Sequence, residues 1–329
     1  MLHLRIVSPA RRTDAVLAVL RDDPAAFNLS VLPGAGLDPV GDLILCDVAR
    51  EGANGVVSTL RELGVHHHGT MALDHVEVAL GDAASEAERR SPGHPGDAAV
   101  WEEVEARVHH ESALTASFVV FIVVAALIAA VGLVQDAPIL IVGAMVVGPE
   151  FGPVAGLSVG LFTRSTELVR TALATLTAGL VVATAAAYGA TWLADAAGLV
   201  PDEFSPSVQP LTGFIVDPSV LSFVVAFLAG VTGTLSLTEA RSGALIGVLI
   251  SVTTIPAVSA IGVAGALHHG DDAAGAAVQL GLNITALLLA GVLTLWVQRT
   301  AWSRFADRRR REGAPGGGGR SGRSLQSLD

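Results

Sequence analysis

Between residues 113 and 298 the sequence runs in long apolar blocks that carry almost no charge. A hydrocarbon core of about 30 Å takes roughly 20 helical residues to cross. Inside it every backbone N–H and C=O must be paired within the protein, which leaves helices or closed barrels. Blocks of this length predict helices, at 114–134, 138–162, 168–194, 218–236, 243–267 and 274–298, so six spans are expected in a membrane domain of 113–298. Residues 1–112 are charged, although the mean hydropathy of the whole chain is +0.57. The two parts are therefore built for different solvents.

Loop charge sets the expected orientation. The segment before 113, "TRSTE", "SLTEARSG" and everything after 298 carry Arg, whereas "QDAP", the stretch from Asp195 to Asp217 and "HHGDDA" carry none. Cytoplasmic loops are enriched in basic residues. Both termini are expected in the cytoplasm, and the start "MLHLRIVSPARRTD" has no apolar core of signal-peptide length. The net charge of −11 gives no support to nucleic-acid binding. The chain contains no Lys, so a GxxxxGK[ST] nucleotide loop is absent and ATP-driven transport by this chain alone is excluded.

Residues 1–80 alternate strand and helix patterns: "LHLRIV", "RRTDAVLAVLRDD", "FNLSVLPG", "DLILCDVA", "NGVVSTLRELG" and "MALDHVEVAL". The order is βαββαβ, the split ferredoxin-like arrangement. The pattern resembles a small ACT-type regulatory module, which implies ligand sensing or assembly. Cys46 is the single cysteine, expected to pack in a strand, and it excludes an internal disulfide. The run "HHHG" at 66–69 reads as solvated loop histidines, because consecutive residues cannot share one strand face and no second ligand cluster is near. No metal and no cofactor are expected. Residues 81–112 divide into a flexible linker at 81–100 and an amphipathic helix from "WEEVEARVHHESAL"; 299–329 form a basic, then disordered tail.

The second apolar block interrupts itself at "VVGPEFGPVAG", residues 146–156. Proline removes a backbone donor and clashes with the preceding turn. Glu150 is the only Asp, Glu or Arg that these spans place deep in the bilayer. An intramembrane carboxylate is costly and marks function; it either coordinates a cation or an amine, takes up a proton, or stays protonated as a structural group.

The two halves of the membrane domain also repeat. "SFVV" starts at Ser117 and at Ser222, and "GAMVVGPEFGP" and "GVLISVTTIP" follow 26 and 25 residues later. Two units of three spans lie upside down relative to one another, with a break in spans two and five, at Gly148-Pro149 and at Thr253-Thr254-Ile255-Pro256. Broken helices at matching places in inverted halves point to a transporter substrate site. The expected solute or ion site is Gly148, Pro149, Glu150, Gly152, Pro153, Thr253, Thr254, Pro256 and Asn283. Gln279 and Asn283 share one face of the last span at i, i+4, with Thr285 nearby. "GLSVGLF" and "GVTGTL" offer faces for close helix approach.

The blocks "ILIVGAMVVGPEFGPVAGLSVGL" (139–161), "SLTEARSGALIGVLISVTTIPAVSAIGVA" (236–264) and "GLNITALLLAG" (281–291) resemble the bacterial membrane family called domain of unknown function 389. The likeness covers most of 110–298. It implies a hydrophobic integral protein of the bacterial cytoplasmic membrane without an established activity. Members often read "GAMLISPLMGP" where this chain has "GAMVVGPEFGP", so the backbone break is the shared feature.

The expected function is a secondary transporter or channel for a small solute or ion, whose N-terminal domain regulates or assembles it, with membrane lipid and a second copy of the chain as partners. The alternative is a non-transporting sensor or scaffold whose soluble domain binds a ligand or partner. No Ser-His or Cys-His arrangement and no HExxH motif lies in the spans, so no enzyme is expected.

Overall fold

The structure, a computed structural model, describes residues 1–76, 79, 81–90, 101–201, 204–238 and 254–312. The N-terminal part is built on four strands, β1 (Leu2–Ser8), β2 (Ala26–Leu37), β3 (Val40–Val48) and β4 (Thr70–His75), in one antiparallel sheet of order β2-β3-β1-β4. Alternation decides which side is covered. Leu2, Leu4 and Ile6 of β1 and Ile44, Cys46 and Val48 of β3 are buried. They lie under Val16, Leu17 and Leu20 of α1 (Ala10–Asp22) and Val56 and Leu60 of α2 (Ala53–Glu62). The opposite face carries His3, Arg5, Phe27 and Leu45.

Two local expectations differ from the structure. The histidines are exposed as expected, yet they form one helical turn, α3 (Val65–His68), rather than a loop. The stretch taken as linker starts with a helix, α4 (Asp82–Arg90), which places Ala87 in the core of the sheet domain. Its ends suit the helix dipole, with Asp82 in the first turn and Arg89 and Arg90 in the last, and both arginines pair with Glu86. The linker's remainder, 91–100, and most of "VEVAL" lie outside the described residues.

The apolar part begins after α5 (Trp101–Glu111) with α6 (Ala116–Val134), capped by Thr115. It continues through α7 (Pro138–Val147), α8 (Phe151–Thr163), α9 (Thr166–Ala196), α10 (Val220–Thr238), α11 (Thr254–Ala266) and α12 (Gly270–Glu312). Among the described residues four helices, α6, α9, α10 and α12, are long and apolar enough to cross a membrane, and the pair α7 and α8, bent by 53°, makes a fifth candidate. Of the expected fifth span, 243–267, only the 13-residue α11 is described. The last helix continues past 298 to Glu312 before the tail, whose residues 313–329 lie outside the described residues.

Contacts sort the connections to two ends of the bundle. At one end Asp136 accepts from the amides of Leu211 (3.1 Å) and Thr212 (2.9 Å) and from the Thr212 hydroxyl (2.9 Å). There too Ser205 donates to Asp272 (2.9 Å). At the other end Trp101 stacks on Phe162 at 5.5 Å, the Arg299 guanidinium lies over the same ring, and the sheet domain meets the end of α10. Arg164, the C-cap of α8, and Arg299 therefore lie at the end that holds the sheet domain. Small residues let the helices close in: a methyl group at Gly156 would stand 2.0 Å from Ser112 Oγ, and one at Gly230 2.7 Å from Ala290 Cβ.

Candidate functional site: a broken helix with a buried carboxylate

α7 stops where the sequence says it must. Gly148 precedes Pro149, a position biased to extended backbone, and it adopts φ −63°, ψ 130°. Glu150 turns back to helical angles and α8 starts one residue later. Pro153 sits in the first turn of α8, where an amide has no helical partner to lose. The 10-residue α7 advances about 15 Å from its first turn, which is half of the hydrocarbon thickness.

The carboxylate at the break is buried. Glu150 is 3% exposed, and among the described residues its Oε2 has no hydrogen-bond partner. A methyl group at Gly148 would lie 2.3 Å from that oxygen and 2.7 Å from Ile255 Cγ1 of α11. Glycine at 148 is thus what lets the carboxylate and the first turn of α11 close on the same point of chain. The α7–α8 break is thus a neighbour of the Thr254–Pro256 segment; residues 239–253 before it lie outside the described residues.

α8 and the described part of α11 both carry a proline near their start, Pro153 and Pro256. Thr254, the first described residue of α11, is fully buried, and among the described residues its hydroxyl has no partner. Thr253 lies outside the described residues. Asn283 is the fourteenth residue of α12, so with α11 and α12 packed as a hairpin about 1.5 Å per residue brings it level with Thr254. Asn283 Oδ1 accepts from Gln279 Nε2 at 3.3 Å, while Gln279 Oε1 has no partner. Thr285 is exposed and returns its hydroxyl to Gly281 O, which removes it from the site.

Sequence reasoning missed α5 altogether as part of this region. Val104 and Val108 pack with Ala155 and Val159 of α8, while Glu105, His109 and His110 are exposed. The end of α5 delivers Ser112, whose hydroxyl donates to Gly152 O at 3.3 Å, directly beside the break. A cleft of about 360 Å³ runs from His110 and Glu111 past Phe118 and Phe121 to Gly148 and Pro149. The amphipathic pattern of α5 was legible, but nothing in it tells that its apolar face is reserved for α8. Among the described residues no group of three or more His, Cys, Asp or Glu gathers as metal ligands would.

Residues 145–289 match the family model described as Domain of unknown function (DUF389). This stretch is consistent with assignment to that family. The match takes in the α7–α8 break, Glu150, Thr254, Pro256 and Asn283, and it begins after α6, later than the resemblance read from residue 110. Comparison with curated proteins and with solved structures finds no match.

Proposed function

We propose that this DUF389 protein is a secondary transporter or channel for a small solute or ion in the bacterial cytoplasmic membrane, with both termini in the cytoplasm and a ferredoxin-like N-terminal domain that regulates or assembles it. One observation carries the reading: Gly148, at the α7–α8 break, lies against both the buried Glu150 carboxylate and Ile255 of α11. Interrupted helices at mid-depth are tolerated where they line a site or a wet path. The recurrence of "SFVV" at Ser117 on α6 and at Ser222 on α10 supports an inverted repeat of three spans. Arg164 and Arg299 at the sheet-domain end support a cytoplasmic position for that end.

The test is flux. Proteoliposomes holding the full chain are screened with radiolabelled amino acids, organic acids and inorganic ions, beside vesicles holding Glu150→Gln. Uptake above that of protein-free vesicles, diminished in the variant, supports the proposal; no uptake of any of them counts against it.

A sensor or scaffold is the second reading. Its support is the direct attachment of the sheet domain to the bundle, through Trp101 N to Asn54 Oδ1 at 3.1 Å and Arg50 to Thr238 O at 3.5 Å. The sheet face that no helix covers, with Phe27, Leu32 and Leu45, is suited to a second copy of the chain. We propose no enzymatic reaction and no cofactor for either reading.

A further inference from the structure

We infer that Glu150 and Thr254 bind one small monovalent cation, sodium, where the α7–α8 break meets the start of α11. The inference rests on the transporter reading above and gives its site a ligand class.

The first argument is which atoms lack partners. Glu150 Oε2, Thr254 Oγ1 and Gln279 Oε1 are buried side-chain atoms without a hydrogen bond, and all are oxygens. Among the described residues no buried side-chain nitrogen stands in that state. A buried oxygen left unpaired is costly, and such groups are satisfied in nearly all proteins. The Glu150 and Gln279 oxygens only accept, so their missing partner is electropositive, and the Thr254 hydroxyl can turn its lone pairs to the same partner.

Charge fixes its valence. No hydrogen bond or ion pair to an arginine or histidine is formed by Glu150 among the described residues. A single positive charge neutralises the carboxylate, whereas a divalent ion leaves an unbalanced charge in apolar surroundings. The helix starts that converge here would by themselves invite an anion. Glu150, placed immediately before α8, supplies that negative charge from the protein, so the exogenous ligand is a cation.

Burial fixes its size. Glu150 is 3% exposed and does not line the cleft, which favours a small ion over an organic amine. Hard cations take oxygen ligands, and the end of α7 offers free main-chain carbonyls besides. The cleft from His110 and Glu111 to Gly148 and Pro149 supplies the approach from the end that holds the sheet domain.

The experiment is thermal unfolding of the purified full chain in detergent at pH 8, with sodium chloride replacing choline chloride at constant ionic strength, and with potassium chloride as comparison. A ligand that binds only the folded state raises Tm with its concentration. The expected result is a sodium-specific rise in the native protein, none in Glu150→Gln, and a sodium requirement roughly tenfold higher in Thr254→Val, the loss of one ligand oxygen. No sodium-specific rise, or an equal rise in Glu150→Gln, overturns the inference. If Glu150→Gln does not fold, an unchanged sodium dependence in Thr254→Val overturns it. Glu150-dependent flux that ignores sodium refutes the cation and keeps the transporter; sodium-dependent stability without flux of any substrate refutes the transporter.

Discussion

Arg50 of the sheet domain donates to the main-chain oxygen of Thr238, the last residue of α10, across 188 positions of sequence. The arginine is only 6% exposed and also faces Glu103 of α5 at 3.4 Å. Thr238 is held in turn by Gln298 of α12, at 2.8 Å. Hydrogen bonds from a charged donor contribute about 1.5–3 kcal/mol. Arg50→Met, which keeps the stem and removes the donors, is expected to destabilise the full chain by about that amount. Backbone amides of α5 should then exchange hydrogen faster by mass spectrometry; unchanged exchange would separate Arg50 from the docking of the domain.

Gly262 is the tightest crossing of α11 on α9. A methyl group there would stand 2.7 Å from Thr184 O and 2.8 Å from Tyr188 N, both backbone atoms that cannot swing aside. Overpacking of this kind costs roughly 1–3 kcal/mol. Gly262→Ala should lower Tm in detergent, while Gly270→Ala, whose methyl group would meet nothing within 4 Å, should have a smaller effect through packing.

The sheet domain carries its own acid sensitivity. Thr13 Oγ1 donates to Asp42 Oδ2 at 2.6 Å and Gly34 N to Oδ1 at 2.8 Å, and these bonds, Thr13 first, hold the Asp42 carboxyl below the usual carboxylate range. A group lowered on folding lends stability that is complete above its unfolded pKa, about 3.9, and is lost as pH falls through the folded value. Thr13→Val brings the folded value back toward the unfolded one. Acid unfolding followed by circular dichroism should therefore begin at higher pH in Thr13→Val, and coincident curves would remove Thr13 from this role.

Cys46 is fully buried in β3, and burial, with a smaller contribution from Asp47, pushes its thiol up to about 12. Only the thiolate reacts rapidly. The folded protein should show no reaction with an aqueous disulfide reagent at pH 8 and one equivalent on denaturation; labelling without unfolding would show that β3 opens.

Glu150→Gln keeps the shape of the side chain and removes its charge. Uptake in proteoliposomes should fall at least roughly tenfold, equal to about 1.4 kcal/mol, without loss of Tm in sodium-free buffer. A variant that transports as the native chain does would make Glu150 a structural group.

Periodicity and composition alone determined the elements. Length and apolarity marked α6, α9, α10 and α12, since no other local structure pairs its backbone in hydrocarbon, and the βαββ order of the sheet domain followed from alternation. The proline at 149 dictated an interruption next to Glu150. Tertiary structure alone decided what meets that interruption. That Ile255 rests against Gly148, that Ser112 reaches Gly152, and that Ala87 belongs to the sheet core are contacts between segments far apart in the chain. A sequence pattern tells which face of a helix is apolar; which neighbour buries that face depends on how all the faces fit together at once.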